Sequence, residues 1–104
     1  MEHYRVAVSA LAERDLRDIV RYISAQFSAP MTAAKMMDAI EDALAGVADM
    51  PQKFPAVTDE RLASMGYSKL VVKNYMVFFT TNEPSKVVDI VRILYAKRDW
   101  MRIL

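Results

Sequence analysis

The stretch YSKLVVKNYMVFFTTNEPSKVVDIVRILY, residues 67–95, decides the fold. Val, Ile, Phe, Tyr and Thr dominate it, and its apolar positions step by two, the period of a strand whose side chains alternate between faces. Asn74 and the run Asn82-Glu83-Pro84-Ser85 interrupt the pattern. Three strands are expected, over 67–73, 75–82 and 86–95. Their connections are too short for a crossover, so sequential neighbours must pair antiparallel. On the middle strand Tyr75, Val77 and Phe79 share one face, and Met76 and Phe78 share the other.

Upstream the period lengthens. Ala12, Leu16, Ile19, Ile23 and Phe27 recur at steps of three and four, while Glu13, Arg14, Arg17, Asp18 and Arg21 fall largely on the opposite side. That spacing predicts an amphipathic helix over residues 10–27, with Ser9 in the N-cap position. Ser28-Ala29-Pro30 breaks it, and Pro30 suits the first turn of a second helix, where its missing N–H costs nothing. Ala33, Met36, Met37, Ile40, Leu44 and Val47 carry that helix until Pro51 stops it. Two long helices joined by a short turn form an antiparallel hairpin. Before them, Tyr4, Val6 and Val8 alternate as a short strand. Residues 51–66, with Pro51, Pro55 and Gly66, read as an exposed connection, and residues 98–104 as a closing helical turn. The expected order is β-α-α-β-β-β in a single domain spanning 1–104. It is an α+β fold: an antiparallel sheet with the helix hairpin on one face and the other face partly open.

Composition narrows the chemistry. The chain has 104 residues, 54% hydrophobic and 26% charged, with 2 Gly, 4 Pro, 1 His and no Cys. Disulfide frameworks, thiol nucleophiles and zinc–thiolate sites are excluded, and with His3 alone no metal site or other cofactor is expected. Two glycines build no phosphate-cradling loop. No apolar run approaches the roughly 20 residues of a membrane span, and MEHYRVAV lacks the features of a signal peptide, so a cytoplasmic location without membrane association is expected. His3 reads as a surface residue. Asp38, Glu41 and Asp42 form a solvated helix face, and Met31, Met36, Met37 and Met50 fill core.

Charge is divided along the chain. Residues 1–52 carry 5 Lys/Arg against 8 Asp/Glu, and residues 53–104 carry 9 against 5. Lys69 and Lys73 share strand parity with Tyr67 and Val71, and the last strand ends in Tyr95-Ala96-Lys97-Arg98. Cations on adjoining strands beside tyrosines hold a phosphate backbone and stack a base. The same pattern guards a sheet edge against aggregation, the usual task of an edge lysine.

These motifs carry a resemblance. Residues 12–23, AERDLRDIVRYI, then Phe54-Pro55, then residues 69–79, KLVVKNYMVFF, and residues 88–99, VDIVRILYAKRD, resemble in order and spacing the RelE/ParE superfamily of bacterial type II toxins. The resemblance implies a toxin that arrests growth, is held inactive by a cognate antitoxin, and works within a toxin–antitoxin hetero-oligomer. RelE-like members cleave mRNA on the ribosome without a metal, and ParE-like members poison DNA gyrase. A RelE-like mRNA endonuclease is the favoured reading, with gyrase inhibition, or a degenerate toxin that only binds antitoxin, as the alternatives. In the RNase reading the resemblance assigns catalysis to Arg98, Lys69 and Tyr95, and RNA phosphate binding to Lys73 and Lys97. Lys69, Lys73, Lys97 and Arg98 would also meet an acidic, partly apolar antitoxin tail lying on the open sheet face. Met76 stands where a RelE-like arginine is expected, and the final residue is Leu104 rather than a tyrosine.

Overall fold

The computed structural model describes residues 3–27 and 30–104. Strand β1 (Arg5–Val8) leads into helices α1 (Ala10–Phe27) and α2 (Pro30–Asp49). A 3₁₀ turn (Pro51–Lys53) and helix α3 (Glu60–Ser64) follow, then strands β2 (Ser68–Val72), β3 (Tyr75–Asn82) and β4 (Val87–Tyr95), and helix α4 (Trp100–Ile103). The Ser28-Ala29 break and the side chain of Phe27 lie outside the described residues.

Ser9 starts α1 as the sequence predicts. Its Oγ accepts the Ala12 N–H at 3.0 Å and donates to the Val91 carbonyl at 2.8 Å, so one hydroxyl caps the helix and ties it to β4. Strands β2, β3 and β4 pair antiparallel, as expected from their short connections. The sheet as a whole is not antiparallel. Its order is β1-β4-β3-β2, and β1 runs parallel to β4, with Arg5 opposite Val87 and Val8 opposite Ile90. Counting passes explains the direction. The hairpin returns the chain to the start of β1, where the Tyr4 N–H bonds the Ala48 carbonyl at 2.9 Å. From that end β2 runs with β1, β3 against it, and β4 with it again.

The hairpin covers one sheet face. Ile19, Ile23, Ile40 and Val47 pack on Val77, Phe79, Val88 and Ile90, all buried. Each such side chain contributes about 1.5–3 kcal/mol on burial. At the start of β1, the buried Tyr4 donates its hydroxyl to Glu83 Oε2 at 2.7 Å, and Gln52 Nε2 donates to Glu83 Oε1 at 2.8 Å.

The connection at 51–66 departs from expectation, because it is structured and partly buried. Ala56 bridges Ser68, and Asp59 Oδ1 caps α3 by accepting the Leu62 N–H at 3.0 Å. Gly66, at φ +88°, ends that helix: its N–H reaches the Ala63 carbonyl while the Tyr67 N–H reaches that of Leu62. A left-handed glycine closes a helix this way without a Cβ penalty. The segment thereby carries Val57 and Leu62 onto the sheet's second face, over the buried Phe78 and Leu94. From the other side α4 closes in, with Trp100 against Phe78 at a centroid distance of 5.2 Å. The face expected to lie open is therefore roofed over Phe78, since two fully apolar strand positions needed cover that the hairpin could not give.

Candidate functional site

Strand β1 accompanies β4 only as far as Ile90. A bulge follows at once: Phe79 faces Ile90 and Phe78 faces Arg92, which leaves Val91 unopposed. Beyond the bulge the outer edge of β4 would expose unpaired backbone, and α1 supplies the partner. Asp15 Oδ2 accepts the Ile93 N–H at 2.9 Å and Arg92 Nε at 2.8 Å, while Oδ1 accepts Arg92 Nη2 at 2.9 Å. The two side chains are 11% and 19% exposed. Hydrogen bonding to Asp15 raises the Arg92 pKa further above its ordinary value, against the opposing effect of burial. A forked pair of this kind fixes both angle and distance, so it sets where α1 lies along β4.

Between α1 and the end of the sheet this leaves a cleft of about 470 Å³. Tyr75, Ile93 and Tyr95 contribute from the strands, and Asp18, Ile19 and Tyr22 from the helix. The Tyr75 and Tyr95 rings meet edge to face at 5.9 Å. Tyr22 is 58% exposed on the helix wall. Burial, and then the neighbouring Tyr22 and Tyr95 phenols, push the Tyr75 hydroxyl above its usual range. Arg98 borders the same cleft, placed by a turn in which its N–H reaches the Tyr95 carbonyl at 3.0 Å.

Of the residues singled out from sequence, Tyr95 and Arg98 are brought together here. Lys73 and Lys97 lie at the same end of the sheet, because the Ala96 N–H bonds the Asn74 carbonyl at 2.8 Å and draws the two turns side by side. Lys73 does not share the strand parity of Lys69. It sits in the β2–β3 turn at φ +54°, after the strand has ended at Val72. Lys69 is not brought to the cleft. It pairs with Phe78 and so belongs to the roofed face, whereas Tyr95 pairs with Tyr75 on the hairpin face. Along the strand it stands roughly 13 Å from Lys73, at about 3.3 Å per residue. Among the described residues none of Lys69, Lys73, Lys97 and Arg98 has an ion-pair partner. Met76 packs, half-buried, into the Phe78 and Leu94 cluster. Among the described residues no group of three His, Asp or Glu could hold a metal ion, and no helix is long and apolar enough to cross a membrane.

Asp15, Arg92, Tyr22 and Tyr75 escaped the sequence reading as site residues. Asp15 and Arg92 are 77 residues apart, and no local pattern joins them. Tyr22 left a trace, as a large ring three positions after Ile19 on the polar flank of α1.

The chain thus sets a two-helix hairpin on one face of a short sheet, with the last strand and its following turn forming a basic rim. Three solved structures share this fold. A chain of the chromosomal ParDE toxin–antitoxin system of Pseudomonas aeruginosa matches with a TM-score of 0.74 at 16% identity, covering 91% of this chain and 98% of that one. A chain of the RelBE2 complex of Mycobacterium tuberculosis gives 0.62 at 18% identity, over 89% and 98%. A chain of the archaeal RelE–RelB complex of Pyrococcus horikoshii gives 0.54 at 17%, over 92% and 98%. At these identities the likeness concerns the fold. No curated protein matches the sequence. Residues 6–100 match the family described as the ParE toxin of the type II toxin–antitoxin system parDE, and the chain belongs to that family. It is the toxin component of such a system.

Proposed function

We propose that this toxin arrests growth by seizing a protein target, DNA gyrase being the one that the ParE resemblance implies, and that a cognate antitoxin holds it inactive in a hetero-oligomer. The dispersal of its cations carries this reading. Metal-free RNA cleavage needs a base, an acid and a phosphate clamp within hydrogen-bond reach of one phosphodiester. Here Lys69 and Tyr95 stand on opposite faces of the sheet, and Met76 offers an apolar side chain where an arginine would serve. Binding a folded protein makes no such demand. It needs a rim of exposed charge around an apolar or aromatic centre, and Lys73, Lys97 and Arg98 beside Tyr95 supply one. The same rim suits an acidic antitoxin segment, which would mask the charges the target needs. In support, the solved structures that share the fold come from toxin–antitoxin systems.

One observation favours RelE-like cleavage as the second reading. Arg98 and Tyr95 share a cleft lined by two more tyrosines, where a base could stack with its phosphate on Arg98. Inducing the toxin alone in a bacterium separates the two. Broken chromosomal DNA and filamentous cells, with Lys69→Ala still toxic, support the gyrase reading. New 5′ ends on ribosome-bound mRNA, lost with Arg98→Ala and weakened with Lys69→Ala, overturn it in favour of cleavage. Unimpaired growth with soluble, folded protein means a chain that keeps only its antitoxin.

A further inference from the structure

The tyrosine cleft holds chemistry that neither phosphate binding nor a charged rim uses. Tyr22, Tyr75 and Tyr95 line it together, and ring faces carry the negative end of the aromatic quadrupole, which attracts cations within about 6 Å. Two carboxylates stand on the α1 wall. Asp15 is committed to Arg92 and to the Ile93 N–H through both of its oxygens. Asp18 has no hydrogen-bond or ion-pair partner among the described residues. The cleft therefore presents three tyrosine rings and one uncommitted carboxylate on its helix wall, with Arg98 at the strand-end border and apolar Ile19 and Ile93 between them. Its volume of about 470 Å³ admits a long side chain together with part of its neighbours.

We infer that this cleft receives a cationic side chain, an arginine, from a protein partner. A guanidinium stacks flat on a tyrosine ring and forks onto a carboxylate, whereas an ammonium does only the second as a point charge. A phosphodiester finds a partner only at Arg98 on the border, because Asp18 repels it from the helix wall. Arg98, exposed at the strand end, takes an acidic neighbour of the arginine, so the favoured partner segment carries both signs close together. Tyr22, more than half exposed, is free to close over the guest. Who owns the arginine follows from the toxin reading above, but binding of the cation is measured on the free chain, so the two fail separately.

The test titrates the full chain, made by cell-free synthesis, with N-acetyl-arginine amide while the tyrosine ring signals are followed by NMR. N-acetyl-glutamate amide and adenosine monophosphate serve as counter-probes. Saturable shifts of the Tyr22, Tyr75 and Tyr95 rings are expected with arginine amide, at about millimolar affinity, and not with the glutamate analogue. Asp18→Asn and Tyr22→Ala should each weaken binding about three- to tenfold, the worth of one exposed charge or cation–π contact. Tyr22→Phe should retain it. Both positions are solvent-exposed, so the variants keep the fold. No saturable shift overturns the inference, as does arginine binding that both variants leave unchanged. Adenosine monophosphate shifting the three rings in place of arginine also overturns it, and assigns the cleft to base stacking.

Discussion

Replacing Asp15 with Ala removes an anchor that holds three donors at once. The variant leaves Arg92 with its charge four-fifths shielded from water and no carboxylate, and leaves the Ile93 N–H without its acceptor. Breaking a buried pair by removing one partner costs about 3–5 kcal/mol, and an orphaned amide adds about 1–3 kcal/mol. Both penalties fall on one small region that can admit water, so the expected loss is about 3–4 kcal/mol rather than their sum. For a domain of this size each kcal/mol lowers Tm by roughly 4–8 °C, which puts the fall at about 12–32 °C. Asp15→Asn keeps an acceptor for the Ile93 N–H but loses the charge and turns an amide NH2 toward one Arg92 donor, so it should cost about 2 kcal/mol, still less than Asp15→Ala. Urea unfolding followed by tryptophan fluorescence measures both, with an unchanged m-value expected if only the folded state suffers. A loss below about 1 kcal/mol for Asp15→Ala, or equal losses for the two variants, would refute the reasoning that the carboxylate satisfies both a charge and a strand edge.

Three more outcomes follow from contacts already described. Ser9→Ala removes the α1 cap and the tie to Val91 together, and should cost about 1–2 kcal/mol in the same urea assay. Trp100→Ala uncovers Phe78, and should cost about 2–3 kcal/mol, less than a fully buried tryptophan because Trp100 is only partly buried; circular dichroism reads this, since no other tryptophan remains. Glu83 titrates below its ordinary value of 4.5 because Tyr4 and Gln52 hydrogen-bond its charged form. A carboxylate lowered on folding stabilises the fold above that value and stops doing so as pH falls through the folded pKa. Thermal melts of Glu83→Gln should therefore match wild type more closely in acid than at neutral pH.

The helix hairpin and the three-stranded meander were legible in the sequence because their signals are local. Apolar residues from Ala12 to Ile23 repeat at the helical period, and Ser9 stands one residue before the first turn. The parallel pairing of β1 was not legible, since Arg5 and Val87 meet across nearly the whole chain and neither sequence names the other. Helix α3 was missed for a different reason. Five residues are too few to show a period, and Val57 and Leu62 look like isolated apolar residues until the second sheet face is seen to need them. At the candidate site, Arg98, Lys69 and Tyr95 were singled out through the resemblance, and the first and last border the cleft because both stand at the end of the last strand. Lys69 was grouped with them because strand parity does not reveal which face of the sheet the helices take. Tyr22 stayed hidden because a helix wheel assigns an aromatic on the polar flank to solvent, and only the short β1 leaves room for it beside the sheet.

The pairing of the first strand with the last also fixes when this molecule can exist during its own synthesis. Residues 5–8 leave the ribosome long before their partners at 87–90 are added. Until then the hairpin has no finished sheet beneath it: β4 is missing, and with it the Arg92 that seats Asp15. At roughly 5–20 residues per second, translation separates the two strands by about 4–16 seconds. Contacts this distant in sequence also close slowly. A growing chain thus carries neither the cleft nor the rim beside it until β4 and the turn that holds Arg98 have emerged.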